Sequence, residues 1–86
     1  MMLDTLNITG RQIAAARALA GMSQVELARE SQLSLFTIRR MERSEGPPQV
    51  AIYNVIAVRI ALETRGIVFL PATEKLGIGI ALTKPR

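Results

Sequence analysis

The stretch Met22–Arg43 constrains the fold most, because it contains two helix start signals close together. Ser23 is followed three residues later by Glu26, which is the S-x-x-E spacing of a capping box. Ser34 gives a second start signal a short distance further along the chain. The bend at Ser31–Leu33 is too short for the two helices to lie antiparallel. They are therefore expected to cross at a steep angle.

Two short helices that cross in this way form a helix-turn-helix unit, whose second helix can enter the major groove of DNA. In the second helix, Ile38 and Met41 are spaced to face the core. The remaining positions of this helix then face outward. Among them, Arg39 or Arg40 can hold the O6 and N7 atoms of guanine with two hydrogen bonds.

A set of residues at fixed offsets runs through the segment from Ile13 to Leu62: Arg17, Leu19, Met22-Ser23-Gln24, Glu26-Leu27-Ala28, Ser34, Thr37-Ile38, Met41-Glu42-Arg43 and Gly46-x-Pro48. In these residues the segment resembles the lambda-repressor-like, Cro-type helix-turn-helix family, also called the xenobiotic-response-element family. The resemblance covers somewhat over half of the chain, and several of its residues recur at fixed offsets. It implies a double-stranded DNA-binding domain.

The resemblance also implies roles for individual side chains. Gln24, in the first turn of its helix, is expected to grip a phosphate together with backbone N–H groups. Arg17 is expected to pair with Glu42 and so tie the first helix to the third. The complete set of predicted DNA contacts is Gln24, Ser34, Leu35, Phe36, Thr37, Arg39, Arg40 and Arg43.

Two departures from the family pattern affect this interpretation. Gln32 occupies the turn position that is usually glycine, so a left-handed conformation there has an energetic cost. Leu35 and Phe36 are apolar where relatives often carry polar side chains that read bases. They can pack on thymine methyl groups, but an exposed Leu-Phe pair is also typical of a protein-binding surface.

Composition excludes several other functions. The 86-residue chain contains no cysteine and no histidine, so thiolate metal sites, the usual zinc sets and disulfides are not expected. Its carboxylates are scattered, which argues against an enzyme. We expect a cytoplasmic protein without a signal peptide, membrane span or cofactor. The net charge is +4, and six arginines lie within or beside the predicted DNA-binding half: Arg11, Arg17, Arg29, Arg39, Arg40 and Arg43.

The predicted fold is mainly α, a lambda-repressor-like bundle of four to five helices with a C-terminal β-hairpin. Thr9 is the expected N-cap of the first helix, and Gly21 and Gly66 are expected helix terminators. The predicted helices span residues 10–20, 24–31, 35–43 and 50–65, and the predicted strands are Ile67–Leu70 and Ile78–Thr83. The expected division is an arm at 1–8, a DNA-binding domain at 9–66, a dimerisation hairpin at 67–83 and a basic tail at 84–86.

The fourth helix carries two apolar stripes, although a surface helix needs only one. The stripe expected to close the core is Val50, Tyr53, Ile56, Ala57 and Ile60. The second stripe, Ala51, Val55, Val58 and Leu62, is expected to meet either the hairpin or a second protomer. The predicted dimerisation residues are Val55, Val58, Leu62, Ile78, Ile80 and Leu82. An uncovered strand edge in this hairpin would favour association.

Two functions follow from these features. The first is a homodimeric, sequence-specific transcriptional regulator, most simply a repressor, that binds inverted repeats through its recognition helix. The second is a protein-interaction module on the same fold, such as an antitoxin that neutralises a partner protein.

Overall fold

The computed structural model describes residues 7–84, which form four α-helices and one antiparallel β-hairpin. In chain order the elements are α1 (Gly10–Leu19), α2 (Gln24–Ser31), α3 (Leu35–Glu42), α4 (Ile52–Thr64), β1 (Ile67–Leu70) and β2 (Gly79–Leu82). The mainly α architecture with a C-terminal hairpin is confirmed. None of the helices in the described range is both long and apolar enough to cross a bilayer.

Local side-chain caps begin the first three helices. The Thr9 and Ser23 hydroxyls each accept a hydrogen bond from the backbone N–H three residues on, and the side chains of Gln12 and Glu26 accept one in return. The Ser34 hydroxyl accepts from the N–H of Thr37 at 3.0 Å. All three predicted N-caps are confirmed, because each capping interaction depends only on residues within one helical turn.

Residues with positive φ follow α1, α2 and α4. Gly21 and Gly66 adopt φ values of 70° and 93°, which confirms both as helix terminators. Gln32 follows α2 with φ 60°, in the left-handed region that glycine fills at little cost. Its backbone N–H bonds to the carbonyls of Ala28 and Arg29. The chain therefore accepts local strain to make the turn between α2 and α3.

The core lies between α4 and the first three helices, with β1 and β2 closing one side. Its buried apolar side chains are Ile8, Ile13, Ala16, Met22, Leu27, Ala28, Ile38, Met41, Val55, Val58, Ala61, Leu62, Ile67 and Phe69. The prediction that Ile38 and Met41 face inward is confirmed. Ile8 belongs to this core too, so the expected arm at 1–8 does not extend to residue 8; residues 1–6 lie outside the described range.

The predicted orientation of α4 is wrong. Val55, Val58 and Leu62, predicted as dimerisation residues with the hairpin as the alternative neighbour, are buried inside the protomer, where α4 packs on β1 as well as on α1 and α2. Tyr53 and Ile60, which were expected to close the core, are 80% and 57% exposed. The error arises because α4 is apolar on nearly every face, so periodicity does not identify its buried side. The packing of α2, α1 and β1 against α4 decides the orientation.

Two smaller burial predictions also fail. Leu19, at the end of α1, is 46% exposed, and Val25, in the first turn of α2, is 53% exposed. The helical periodicity of the sequence places both side chains on the inward-facing sides of their helices, and this prediction is wrong. Isolated apolar residues on a surface are common and need no partner.

The hairpin pairs Ile67 with Leu82 and Phe69 with Ile80. Ile67 and Phe69 are buried, and Ile80 packs against the core. The three predicted dimerisation residues of the hairpin therefore have different surroundings. Ile80 contributes to the protomer core, whereas Ile78 and Leu82 are exposed. The predicted strands are confirmed, although β2 is shorter at both ends than expected.

One buried polar side chain joins the hairpin to the first helix. The Gln12 side chain is buried; its carbonyl oxygen accepts from the N–H of Thr9 at 2.9 Å. Its amide nitrogen donates to the carbonyl of Gly79 at 3.1 Å. The cap of α1 and the start of β2 are thus held by a single amide group whose oxygen and nitrogen are both hydrogen-bonded.

Gly10 allows α1 to approach the end of α3 closely. A Cβ atom at this position would lie 2.2 Å from the carbonyl oxygens of both Met41 and Ser44. The Gly10 N–H also donates to the carbonyl of Gly46 at 3.0 Å. No other residue type fits without moving backbone atoms, so the contact fixes where α3 ends relative to α1.

Candidate nucleic-acid interface

The outward side of α3 carries an apolar residue followed by three arginines. Phe36, Arg39, Arg40 and Arg43 are exposed, and their spacing of three, four and seven residues places them along one side of the helix. Phe36 is 68% exposed. We call these four residues the α3 stripe. It is the surface that the predicted recognition helix was expected to offer.

The charges of the α3 stripe are not neutralised within the described part of the chain. Arg17 pairs with Glu42, Arg59 with Glu63, and Arg65 with Glu30. No carboxylate of residues 7–84 forms an ion pair with an arginine of the α3 stripe. Positive charge is therefore concentrated on one outward face and is available to an anionic partner.

Two hydroxyl groups lie at the start of α3, beside the stripe. The oxygens of Ser34 and Thr37 are 2.9 Å apart, and the Ser34 oxygen also accepts from the Thr37 N–H. Since only one hydroxyl proton can lie between the two oxygens, the other remains able to donate outward. The pair can therefore cap α3 and at the same time offer one hydrogen bond to a phosphate or a base edge.

A polar cluster ties α1, α2 and α3 together beneath this face. Arg17 donates to both oxygens of Glu42, with Nε–Oε2 and Nη2–Oε1 distances of 2.8 and 3.2 Å. Arg17 also donates to the carbonyl of Met22. The expected ion pair between Arg17 and Glu42 is confirmed, and its two-pronged geometry fixes the orientation of both side chains.

Gln24 has a partner that the sequence did not reveal. Its side-chain nitrogen donates to Oε1 of Glu42 at 3.1 Å, so the amide is oriented by the cluster below it. An amide nitrogen carries two protons, and this bond uses one of them. Gln24 is the first residue of α2, where N–H groups of the first turn point away from the helix. Its expected role at a phosphate stays a prediction.

The two apolar residues of α3 differ in their surroundings. Leu35 is half-buried, whereas Phe36 projects into solvent. Both precede the arginines of the α3 stripe in the first turn of the helix, next to the Ser34 and Thr37 hydroxyls. An apolar contact from this position would therefore come from Phe36 first.

A further ion pair braces the far side of α2. Arg65 donates to both carboxylate oxygens of Glu30, and Nε lies 3.1 Å from Oε1. Hydrogen bonding to Glu30 raises the pKa of Arg65 above its ordinary value. This link joins the last turn of α2 to the residue that follows α4. No spacing signal in the sequence connects two residues so far apart.

The capping box of α2 changes the acidity of one carboxyl group. The pKa of Glu26 is lowered, chiefly because the backbone N–H of Ser23 donates to its carboxylate. The charged form of Glu26 therefore favours the folded state. The α2 start is thus sensitive to acid, although Glu26 lies outside the α3 stripe.

Between residues 7 and 84, no three metal-ligating side chains of the His, Cys, Asp or Glu type come together. Neither a protein-family model nor a curated protein sequence matches the chain significantly. Assignment of a function therefore depends on the geometry described above.

Proposed function

We propose that the chain is a sequence-specific, double-stranded-DNA-binding transcriptional regulator of the lambda-repressor-like type, acting most simply as a homodimeric repressor. In this proposal α3 is the recognition helix and α2 precedes it in a helix-turn-helix. The observation that carries the proposal is the α3 stripe, whose three arginines are exposed and have no carboxylate partner among residues 7–84.

The dimensions of α3 suit a major groove. An α-helix with its side chains is about 10–12 Å across, and the major groove is about 12 Å wide. Arg39 and Arg40 can reach guanine edges or phosphates from such a helix, whereas Arg43 lies at its end, where the phosphate backbone is nearer. Guanidinium groups suit both targets because they donate two parallel hydrogen bonds.

The cluster of Arg17, Glu42 and Gln24 supports the same function by fixing geometry. It holds the last turn of α3 against α1 and the first turn of α2. A side chain that reads bases must be placed within a fraction of an ångström, so a helix held at its end is better suited than a mobile one. The cluster also neutralises Glu42, which would otherwise repel phosphates.

The proposal is tested by selecting binding sites from a random duplex pool and from the DNA upstream of the protein's own gene. Binding to the selected duplex should weaken steeply with salt, because phosphates release counterions when arginines replace them. Arg40→Ala should weaken binding to the selected site by about 1–3 kcal/mol if Arg40 contacts a base. Lys75→Ala, in the connection between the strands, removes the same charge from an exposed position and serves as the matched control.

The outcomes separate clearly. Loss of specific binding in Arg40→Ala with retention in Lys75→Ala supports α3 as the reading element. Equal losses in both variants indicate a general charge effect and argue against specific readout. A protein that shows no preference for any duplex over competitor DNA at low salt is not a regulator of this type.

The exposure of Phe36 favours one alternative, a protein-interaction module such as an antitoxin. An aromatic side chain that is 68% exposed provides an anchor for a protein partner. Phe36→Ala distinguishes the two functions. If the variant keeps its duplex affinity but loses a co-purifying protein encoded by a neighbouring gene, the interaction function is the better description.

A further inference from the structure

The hairpin is apolar on both faces. Ile67 and Phe69 point to the core, and the alternate residues Val68 and Leu70 point away from it, 41% and 42% exposed. Ala81 lies opposite Val68, and Gly79 lies opposite Leu70. We call this outward side, formed by Val68, Leu70, Gly79 and Ala81, the outer hairpin face. It contains no charged or hydrogen-bonding side chain.

Such a face is unusual for a two-stranded sheet that is exposed on one side. An antiparallel sheet with one solvated face ordinarily alternates apolar and polar residues, and both β1 and β2 lack this alternation. Charged residues commonly protect exposed strands against association, and none of the eight strand residues is charged. α1 and α4 cover only the inner side. The outer side is thus suited to an apolar layer.

The outer hairpin face has one bulky row and one flat row. Val68 and Leu70 form the bulky row on β1, and Gly79 and Ala81 form the flat row on β2. A two-fold axis that runs along the strands, between two stacked hairpins, places β1 of each copy over β2 of the other. The bulky row of each copy then packs against the flat row of the other copy, which is how the side chains of two stacked sheets interdigitate. A two-fold axis perpendicular to the strands would instead place the bulky row of one copy against the bulky row of the other.

We propose that the outer hairpin face is a self-association surface and that its partner is the same face of a second copy of this chain. A second copy brings no charge to the contact and matches the row pattern by symmetry. The surface lies on the hairpin at 67–83 that was predicted to mediate dimerisation, but none of its four residues is among the predicted dimerisation residues, of which Val55, Val58 and Leu62 lie inside the protomer.

Self-association through the outer hairpin face is compatible with the proposed DNA-binding function. The pairing of two hairpins does not depend on that function. α3 packs mainly on α1 and α2, whereas the hairpin packs on α1 and α4. The α3 stripe and the outer hairpin face therefore lie on different elements and share no residue. Pairing through the hairpin does not use the α3 stripe, which binding to inverted half-sites requires to be free.

Sedimentation velocity tests the surface without DNA. The intact protein should pass from monomer to dimer between about 1 and 100 µM, the range expected for a small contact. Val68→Lys should raise the dimer dissociation constant at least about tenfold, since it places two like charges in a dry contact. Leu19→Lys, at an exposed apolar residue of α1, is the matched control and should leave association unchanged. Circular dichroism and thermal melting establish that each variant is folded.

Cysteine cross-linking tests the stacking geometry. The chain has no cysteine of its own, so Val68→Cys and Ala81→Cys each introduce a single thiol. Mild oxidation of an equimolar mixture of the two variants should give a disulfide-linked dimer containing one chain of each kind. Either variant alone should link at least about tenfold less, because identical positions do not face one another across the axis.

Two results overturn the proposal. One is an intact protein that stays monomeric throughout the concentration range while both variants remain folded. The other is a dimer that survives Val68→Lys, or that links Val68→Cys to itself better than to Ala81→Cys. A monomer that still binds DNA would refute this surface alone. A dimer that binds no DNA would refute the regulator function alone.

Discussion

Replacement of Gly10 by alanine tests the close approach of α1 to α3 that holds α3 in place. The added Cβ would lie 2.2 Å from the carbonyl oxygens of Met41 and Ser44, so the two backbones must separate by about 1 Å to restore ordinary contact. A shift of that size also lengthens the 3.0 Å hydrogen bond from the Gly10 N–H to the Gly46 carbonyl beyond useful range.

The expected loss of stability combines two costs. Overpacking against rigid backbone costs about 1–3 kcal/mol, and loss of the hydrogen bond costs about 0.5–1.5 kcal/mol. The better helix propensity of alanine returns at most about 1 kcal/mol. The free energy of unfolding should therefore fall by about 0.5–4.5 kcal/mol, with a central value of about 2.5 kcal/mol. For a domain of this size the central value corresponds to a fall in melting temperature of about 10–20 °C.

Urea denaturation followed by circular dichroism measures this change. Gly77→Ala is the matched control, since a Cβ at Gly77 meets no atom within 4 Å and its φ is not positive. The control should stay within about 0.5 kcal/mol of the parent protein. If Gly10→Ala is as stable as the control, the close packing of α1 on the end of α3 is refuted.

Three other substitutions test the caps and the polar cluster by the same denaturation assay. Glu26→Gln should be less stable than the parent protein at neutral pH, and the difference should narrow as the pH falls below the ordinary glutamate pKa. The pKa of Glu26 is lowered in the folded protein, so its charged carboxylate stabilises the fold at pH values above the ordinary glutamate pKa, and this stability is lost as the carboxylate is protonated. A stability difference that does not change with pH would contradict this role of the charged carboxylate. Gln32→Gly should raise stability by about 0.5–1 kcal/mol, because glycine relieves the left-handed strain at φ 60°, whereas a loss would show that the side chain stabilises the turn. Glu42→Gln should lower stability by about 2–3 kcal/mol, since the mostly buried Arg17 loses its counter-charge; an unchanged value would mean that the ion pair contributes no net stability.

How far the sequence predicts this fold depends on the range of each interaction. Thr9, Ser23 and Ser34 act within one turn of the chain, so their capping roles were predictable from spacing alone. The hairpin was predictable because its strands are bounded by a glycine and a proline-containing connection. The buried side of α4 was not, because Val58 and Ile60 are equally apolar and only packing distinguishes them.

In the candidate site, too, only the features that depend on local helix geometry were predictable from the sequence. Exposure of Arg39, Arg40 and Arg43 was predictable once Ile38 and Met41 were assigned to the core, since helix geometry fixes the opposite side. The bond between Gln24 and Glu42 was not, because it joins residues from two helices whose relative position only the folded chain defines.

The amide of Gln12 also bears on the order in which the chain can fold. Its acceptor, the carbonyl of Gly79, lies 67 positions away, so the bond closes most of the chain into one loop. During synthesis the four helices emerge from the ribosome before β2 does. Until β2 emerges, the nitrogen of Gln12 must remain hydrated and β1 lacks its partner strand. Completion of the interior therefore waits for β2, and a nascent chain stalled short of residue 79 would expose apolar surface to chaperones.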